Sequence, residues 1–177
     1  GARTGNDGNS TTATFSMNQG VLDVTSVILG DRRNTVGAST GTTSGTLNLG
    51  GGTVVIGATG LSIAPSTSTH ASSQIASGTV NISGGVVTIN GPVTLGNSTN
   101  VNGTSLAAFN ITGGTVDVRN SIAKGAGNGF TSVTSTLSLA NGSLDLNGFS
   151  IGTSTRPINN VQLESGTLRN VAEINGG

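Results

Sequence analysis

The chain has no cysteine, no tryptophan and no tyrosine, and only four phenylalanines among 177 residues. Without cysteine there is neither a disulfide framework nor a thiolate metal site. With so few aromatics the core must come from Val, Ile and Leu, and platforms for sugar rings are missing. Charge is scarce as well. Asp, Glu, Lys and Arg make up 8% of the chain, against roughly a quarter of an ordinary soluble domain. From Asn34 to Val116 there is no charged residue at all. Seven basic residues balance seven acidic ones, which excludes the electrostatic footprint needed for nucleic acid or an anionic membrane. No stretch approaches the ~18 apolar residues of a membrane span. Neither a signal peptide nor an initiator Met is present, which suggests a processed product or a segment of a longer repeat array.

What the chain does have is glycine, 30 of them, set in a strict pattern. Ten residues recur as apolar, any, apolar, any, any, Gly, any, apolar, any, apolar. The pattern starts at Phe15, Leu47, Val80, Phe109, Leu137 and Val161 and puts its glycine at Gly20, Gly52, Gly85, Gly114, Gly142 and Gly166. Only the last copy breaks, with Asn170 where an apolar residue is due. Alternation of period two on both sides of a glycine describes two short strands around a corner. Such order distinguishes the chain from a disordered one of similar polarity. Recurrence at 24 to 33 residues predicts a solenoid with one coil per repeat.

In the third repeat, Val80 and Ile82 point inward, Ser83-Gly84-Gly85 turns the corner, and Val87 and Ile89 point inward again. After the turn dipeptide Asn90-Gly91, Pro92 leads a third strand over 93–95. Matching third strands are expected at 27–29, 61–63 and 149–151. In the fourth repeat Ile122-Ala123-Lys124 sets a lysine at an inward step. Either the register shifts there, the favoured reading, or the lysine snorkels outward along its stem. The expected architecture is all-β: a right-handed parallel β-helix of about six coils with three short strands each. A polar N-terminal arm over 1–13 precedes the solenoid of 14–177, and the arm is free to reach a neighbour. Segments rich in Ser, Thr, Asn and Gly follow the third strands at 31–44, 65–78, 97–107, 126–135 and 153–160. All fall at one corner, where insertions in repeat proteins often form the interacting face.

Stacking predicts vertical rows of outward residues. The first strand aligns Ser16, Asn48, Asn81, Asn110, Ser138 and Gln162, a polar ladder whose amides can bond along the column. The second aligns Asp23, Val55, Thr88, Asp117, Asp145 and Arg169, a charge ladder in which Arg169 and Arg119 neutralise the two adjacent aspartates. The third aligns Ile28, Ser62, Thr94, Ala123, Ser150 and Glu173, a flat and almost uncharged face. Calcium would need six or more oxygen ligands, and the glycine-aspartate repeats that supply them are missing. Ice-binding solenoids carry regular Thr-x-Thr rows on a strand face, whereas the Thr-Ser-Thr strings at 67–69 and 153–155 are expected in loops. The one histidine, His70, has no carboxylate nearby in sequence, so a nucleophilic triad is not expected. Gly50-Gly51-Gly52 lacks the lysine and helix of a phosphate loop and reads as a coil corner. Arg32-Arg33 beside Asp31 reads as a solvated loop. Six Asn-x-Ser/Thr sequons, at Asn9, Asn81, Asn97, Asn102, Asn110 and Asn141, match what chance gives in such a composition.

The unit T-L-N-L-G-G-G-T-V-V-I at 46–56 and its kin F-N-I-T-G-G-T-V-D-V at 109–118 resemble the autotransporter-associated β-strand repeat. The resemblance covers nearly the whole chain from about Thr14 and implies an exported, displayed right-handed β-helix without catalytic residues. No cofactor, metal or catalytic residue is expected. The expected role is an extracellular or cell-surface structural protein, a building block of a filament or surface layer through end-to-end or lateral self-association. The alternative is an adhesin whose loops contact glycans or other surface proteins, with Phe130 as the sole aromatic support. A polysaccharide-acting enzyme using Asp117 and Asp145 comes third.

Overall fold

The computed structural model describes residues 2–3, 9–33, 40–67, 73–99, 103–127 and 132–177. Among them are sixteen strands and no helix. The strands are β1 (Ala2–Arg3), β2 (Thr11–Met17), β3 (Val21–Leu29), β4 (Asp31–Arg32), β5 (Thr42–Leu49), β6 (Thr53–Ser66), β7 (Ile75–Ile82) and β8 (Val86–Ile89). They continue with β9 (Val93–Ser98), β10 (Thr104–Ile111), β11 (Thr115–Val118), β12 (Ile122–Lys124), β13 (Ser132–Leu139), β14 (Ser143–Asp145), β15 (Asn160–Leu163) and β16 (Thr167–Arg169). Six strands form one sheet in the order β15-β13-β10-β7-β5-β2, and the other ten form a second. Pairing between these strands is parallel, because each repeat brings the chain back to the same edge one strand spacing further on. The sheets build a β-solenoid of about four turns.

The alternating pattern fills the interior in rows. Leu47, Val80, Phe109 and Leu137 stack in one row, and Val54, Val87, Val116 and Leu144 in another, all buried. A third row runs Leu61, Val93, Ile122 and Ile151. Each such side chain stabilises the fold by about 1.5–3 kcal/mol on leaving water. At the corners, Gly85 has φ +82°, and a Cβ there would stand 2.6 Å from the Gly52 carbonyl oxygen of the turn below. Gly20, Gly52, Gly114 and Gly142 share its left-handed backbone. Gly166 does not; there the lack of a side chain makes room instead, since a Cβ would meet Leu139 Cγ at 2.5 Å.

Four expectations are corrected. The second and third strands of the first two repeats are single continuous strands, β3 and β6, which bend at a register irregularity where the pairing passes from Val24 with Ile56 to Ser26 with Gly60, Gly60 taking left-handed φ. Lys124 causes no register shift: it pairs with Leu95 in step and is half-buried, as a lysine can be when its stem lies along apolar neighbours. The third strand at 149–151 slips by two. Asn147 and Gly148 form a left-handed turn, Phe149 is 40% exposed, and Ile151 takes the inward place opposite Ile122. Ser150 therefore leaves the row that holds Ser62, Thr94 and Ala123. Finally, Ala2–Arg3 of the N-terminal arm pair with β4 of their own chain, and Thr11–Ala13 already belong to β2.

Gly85→Ala is expected to lower stability by about 3 kcal/mol, combining left-handed strain with backbone overlap. Gly20→Ala, where nothing lies within 4 Å of the added methyl, is expected to cost only the strain, about 1–2 kcal/mol. Urea unfolding midpoints of the two variants check this difference.

Candidate functional site

The polar ladder runs along the outer face of the six-stranded sheet. Ser16, Asn48, Asn81, Asn110, Ser138 and Gln162 are paired one above another in consecutive strands. Asn110 Nδ2 donates to Asn81 Oδ1 at 2.9 Å, Asn81 Nδ2 to Asn48 Oδ1 at 2.9 Å, and Asn48 Nδ2 to Ser16 Oγ at 3.3 Å. Each of the three asparagines donates to the preceding turn, so from Ser16 to Asn110 the row acts as a second hydrogen-bond column beside the backbone. Asn81 and Asn110 are also sequon residues, and their half-buried amides are committed to this column. Asn102, another sequon, lies outside the described residues, as do His70 and Phe130.

The second row holds Asp23, Val55, Thr88, Asp117, Asp145 and Arg169 in register. Asp117 and Asp145 are direct neighbours, and like charges so placed repel. Arg119 Nε donates to Asp117 Oδ2 at 2.9 Å and reaches Asn90 Oδ1 with Nη1. Asn147 Nδ2 donates to the other Asp117 oxygen. Asp145 accepts the Asn147 backbone N–H at 2.9 Å and both its oxygens accept Asn170 Nδ2, at 3.0 and 2.8 Å. These bonds, with the Arg169 charge, hold the Asp145 carboxyl below its ordinary value. Asn147 and Asn170 both adopt left-handed φ, a conformation Asn tolerates. The Asn170 that breaks the repeat thus serves as a carboxylate ligand. Among the described residues no group of three or more His, Cys, Asp or Glu is placed to hold a metal ion.

At the loop corner the structure differs from the sequence reading. Arg32 is fully buried, and only Arg33 is exposed, its Nε 2.7 Å from Asp31. Arg32 Nε donates to Gln74 Oε1 at 3.1 Å and Nη1 approaches Thr43 Oγ1 at 3.5 Å, both buried. In the following turns Ser66 and Ser98 continue the row. Ser105 Oγ bonds the Ala64 carbonyl, and Ser135 bonds Asn159. A polar seam therefore lines the inside of this corner. Its signal was present in Leu29-Gly30-Asp31-Arg32, Ile63-Ala64-Pro65-Ser66 and Leu95-Gly96-Asn97-Ser98. Each is an inward residue, a left-handed one, then a polar side chain two steps on. The Ser/Thr-rich segments are accordingly narrower than the sequence suggests: 31–32, 66 and 97–98 belong to strands, as do 42–44, 75–78, 104–107 and 132–135. Their central parts, 34–39, 68–72, 100–102 and 128–131, lie outside the described residues.

The two ends differ from the middle. Phe15 begins the row that contains fully buried Phe109, yet is 48% exposed. With Leu22, Val24, Val27, Leu29 and Leu47 it lines an apolar cavity of about 170 Å³. At the other end Leu163 and Ile174 are 46% and 44% exposed. On their outer sides β2 and β15 have no strand partner among the described residues.

Replacing Asn81 by Ala strands the amide of Asn110 and the carbonyl of Asn48, and is expected to cost about 1–2 kcal/mol. Gln162→Ala at the exposed end is expected to cost less than about 0.5 kcal/mol, as denaturant midpoints would register. Because the Asp145 pKa is lowered on folding, its contribution is present above the ordinary aspartate value and is lost as pH falls through the depressed one. NMR titration should find its midpoint below 3.8, and Asn170→Ala should raise it.

Compared with known proteins, the chain matches no family model, no curated protein and no solved structure.

Proposed function

We propose that this chain is a structural β-solenoid, right-handed and six coils long, that serves outside the cell as a rigid building block of a filament or surface layer. The observation that carries the reading is the contrast between its ends and its middle. Interior rows are fully buried, whereas Phe15, Leu163 and Ile174 lie about half exposed at the first and last levels, where β2 and β15 have no outer strand partner among the described residues. Exposed edges of this kind pair with further strands unless something covers them. A head-to-tail contact that does not close makes a filament. The likeness to the autotransporter-associated repeat adds export and display to this proposal. The low charge and the self-satisfied Asn ladder fit a scaffold more than a reaction site. Asp117 and Asp145, the pair an enzyme would use, have their oxygens taken up by Arg119, Asn147 and Asn170.

Electron microscopy of the natively prepared protein tests the proposal. Continuous fibres are expected, with an axial repeat of about 29 Å for six stacked strands at the ~4.8 Å spacing. Isolated rods of that length at every concentration would overturn the filament reading and favour the alternative, an adhesin using the loop corner, which glycan arrays would then probe.

A further inference from the structure

Resting on the self-association reading, we infer that the occupant of each open end is a second copy of this chain, seated in one defined register. The first-level strands β2 and β3 of one copy dock on the last-level strands β15 and β16 of the next, so that every vertical row continues across the junction.

The argument comes from following the rows to both ends. The amide ladder starts at Ser16 and finishes at Gln162, a hydroxyl and an amide that can bond one another as Ser16 and Asn48 do. The charge row starts at Asp23 and finishes at Arg169. Both are exposed. Continuing that row sets Arg169 between Asp145 of its own chain and Asp23 of the second copy, an alternating column in place of two neighbouring aspartates. The apolar row that starts at Val27 passes through Leu61, Val93, Ile122 and Ile151 to Ile174. Docking brings Ile174, 44% exposed, over Val27 in the wall of the apolar cavity. A shift by one residue would turn every apolar side chain to the wrong face, and a junction of two first levels would hold two Asp23 carboxylates and no Arg169. Among the described strands β1 pairs with β4 alone, not with β2 or β3. The complementarity belongs to the two end levels themselves, whatever lies beyond them.

The chain contains no cysteine, so a paired substitution reads the register directly. In a Ser16→Cys, Gln162→Cys variant, register-matched docking sets the two Cα atoms about 4.8 Å apart, within the range a disulfide spans. Oxidation is expected to give a ladder of covalent multimers on a non-reducing gel, while either single variant stops at a dimer or below. A second variant set reads the charge row: Asp23→Arg or Arg169→Asp is expected to raise the concentration at which fibres appear about fivefold, and the double exchange should restore it. Circular dichroism of the monomers confirms that these exposed substitutions leave the fold intact. Fibres that form without the disulfide ladder and ignore the charge exchange would overturn this register while leaving self-assembly standing. Absence of any fibre from the unaltered chain would overturn both.

Discussion

Parallel strands stacked in register set each side chain about 4.8 Å above its equivalent in the next turn, and most of the molecule's chemistry follows from that spacing. A row of similar aliphatic residues packs well at this distance, in keeping with a core made mainly of Leu, Val and Ile. A row of asparagines bonds to itself, as Asn48, Asn81 and Asn110 do. At a corner the turn below stands so close that a Cβ on Gly85 would overlap the Gly52 carbonyl. The same constraint thus dictates both the residues that recur and those that are excluded.

Charge is the residue property that tolerates such stacking least. A repeated acidic or basic position would line up like charges along the column, and the middle of the chain, 34–116, avoids this by carrying none. Where two aspartates do meet, at Asp117 and Asp145, the turn is rebuilt around them. Asn147 and Asn170 adopt left-handed backbone and turn their amides to the carboxylates, and Arg119 supplies a counter-charge. Asn170 interrupts the apolar pattern of the last turn, and Asn147 opens the turn that carries the two-residue slip at Phe149.

That history explains what could be read from residues alone. Alternation of period two around a recurring glycine is enough to align Asn48 with Asn81 and Asp117 with Asp145, because a strand pair in register admits no other match. The third strand was less legible. Its few residues are flanked by segments of variable length, so counting from the glycine fails once the Asn147-Gly148 turn moves Ile151 into the place expected for Phe149. Arg32 shows a different limit. An Arg-Arg pair beside an Asp looks like solvated surface, and only the three-dimensional neighbours Gln74 and Thr43, 42 and 11 residues away, make one of the two a buried donor. Nearest-neighbour periodicity carries no information about such contacts between the third strand's end and the next coil's beginning.

In a stacked array, stability is close to a sum of terms for each level and for each interface between levels. An interior level shares two interfaces and an end level one. The row from Phe15 to Val161 displays the deficit: Phe15 is 48% exposed, whereas Leu47, Val80, Phe109 and Leu137 are at most 3% exposed. In the proposed assembly, docking supplies the interface that the first and last levels do not make among the described residues. Docking wins when the facing level repeats the local pattern, because the new interface is then equivalent to an interior one and needs no rearrangement of either partner. An end level of unrelated sequence would leave its charges and amides unmatched and lose that advantage. In the proposed assembly the period and register of the rows select the partner, before any individual contact decides the strength.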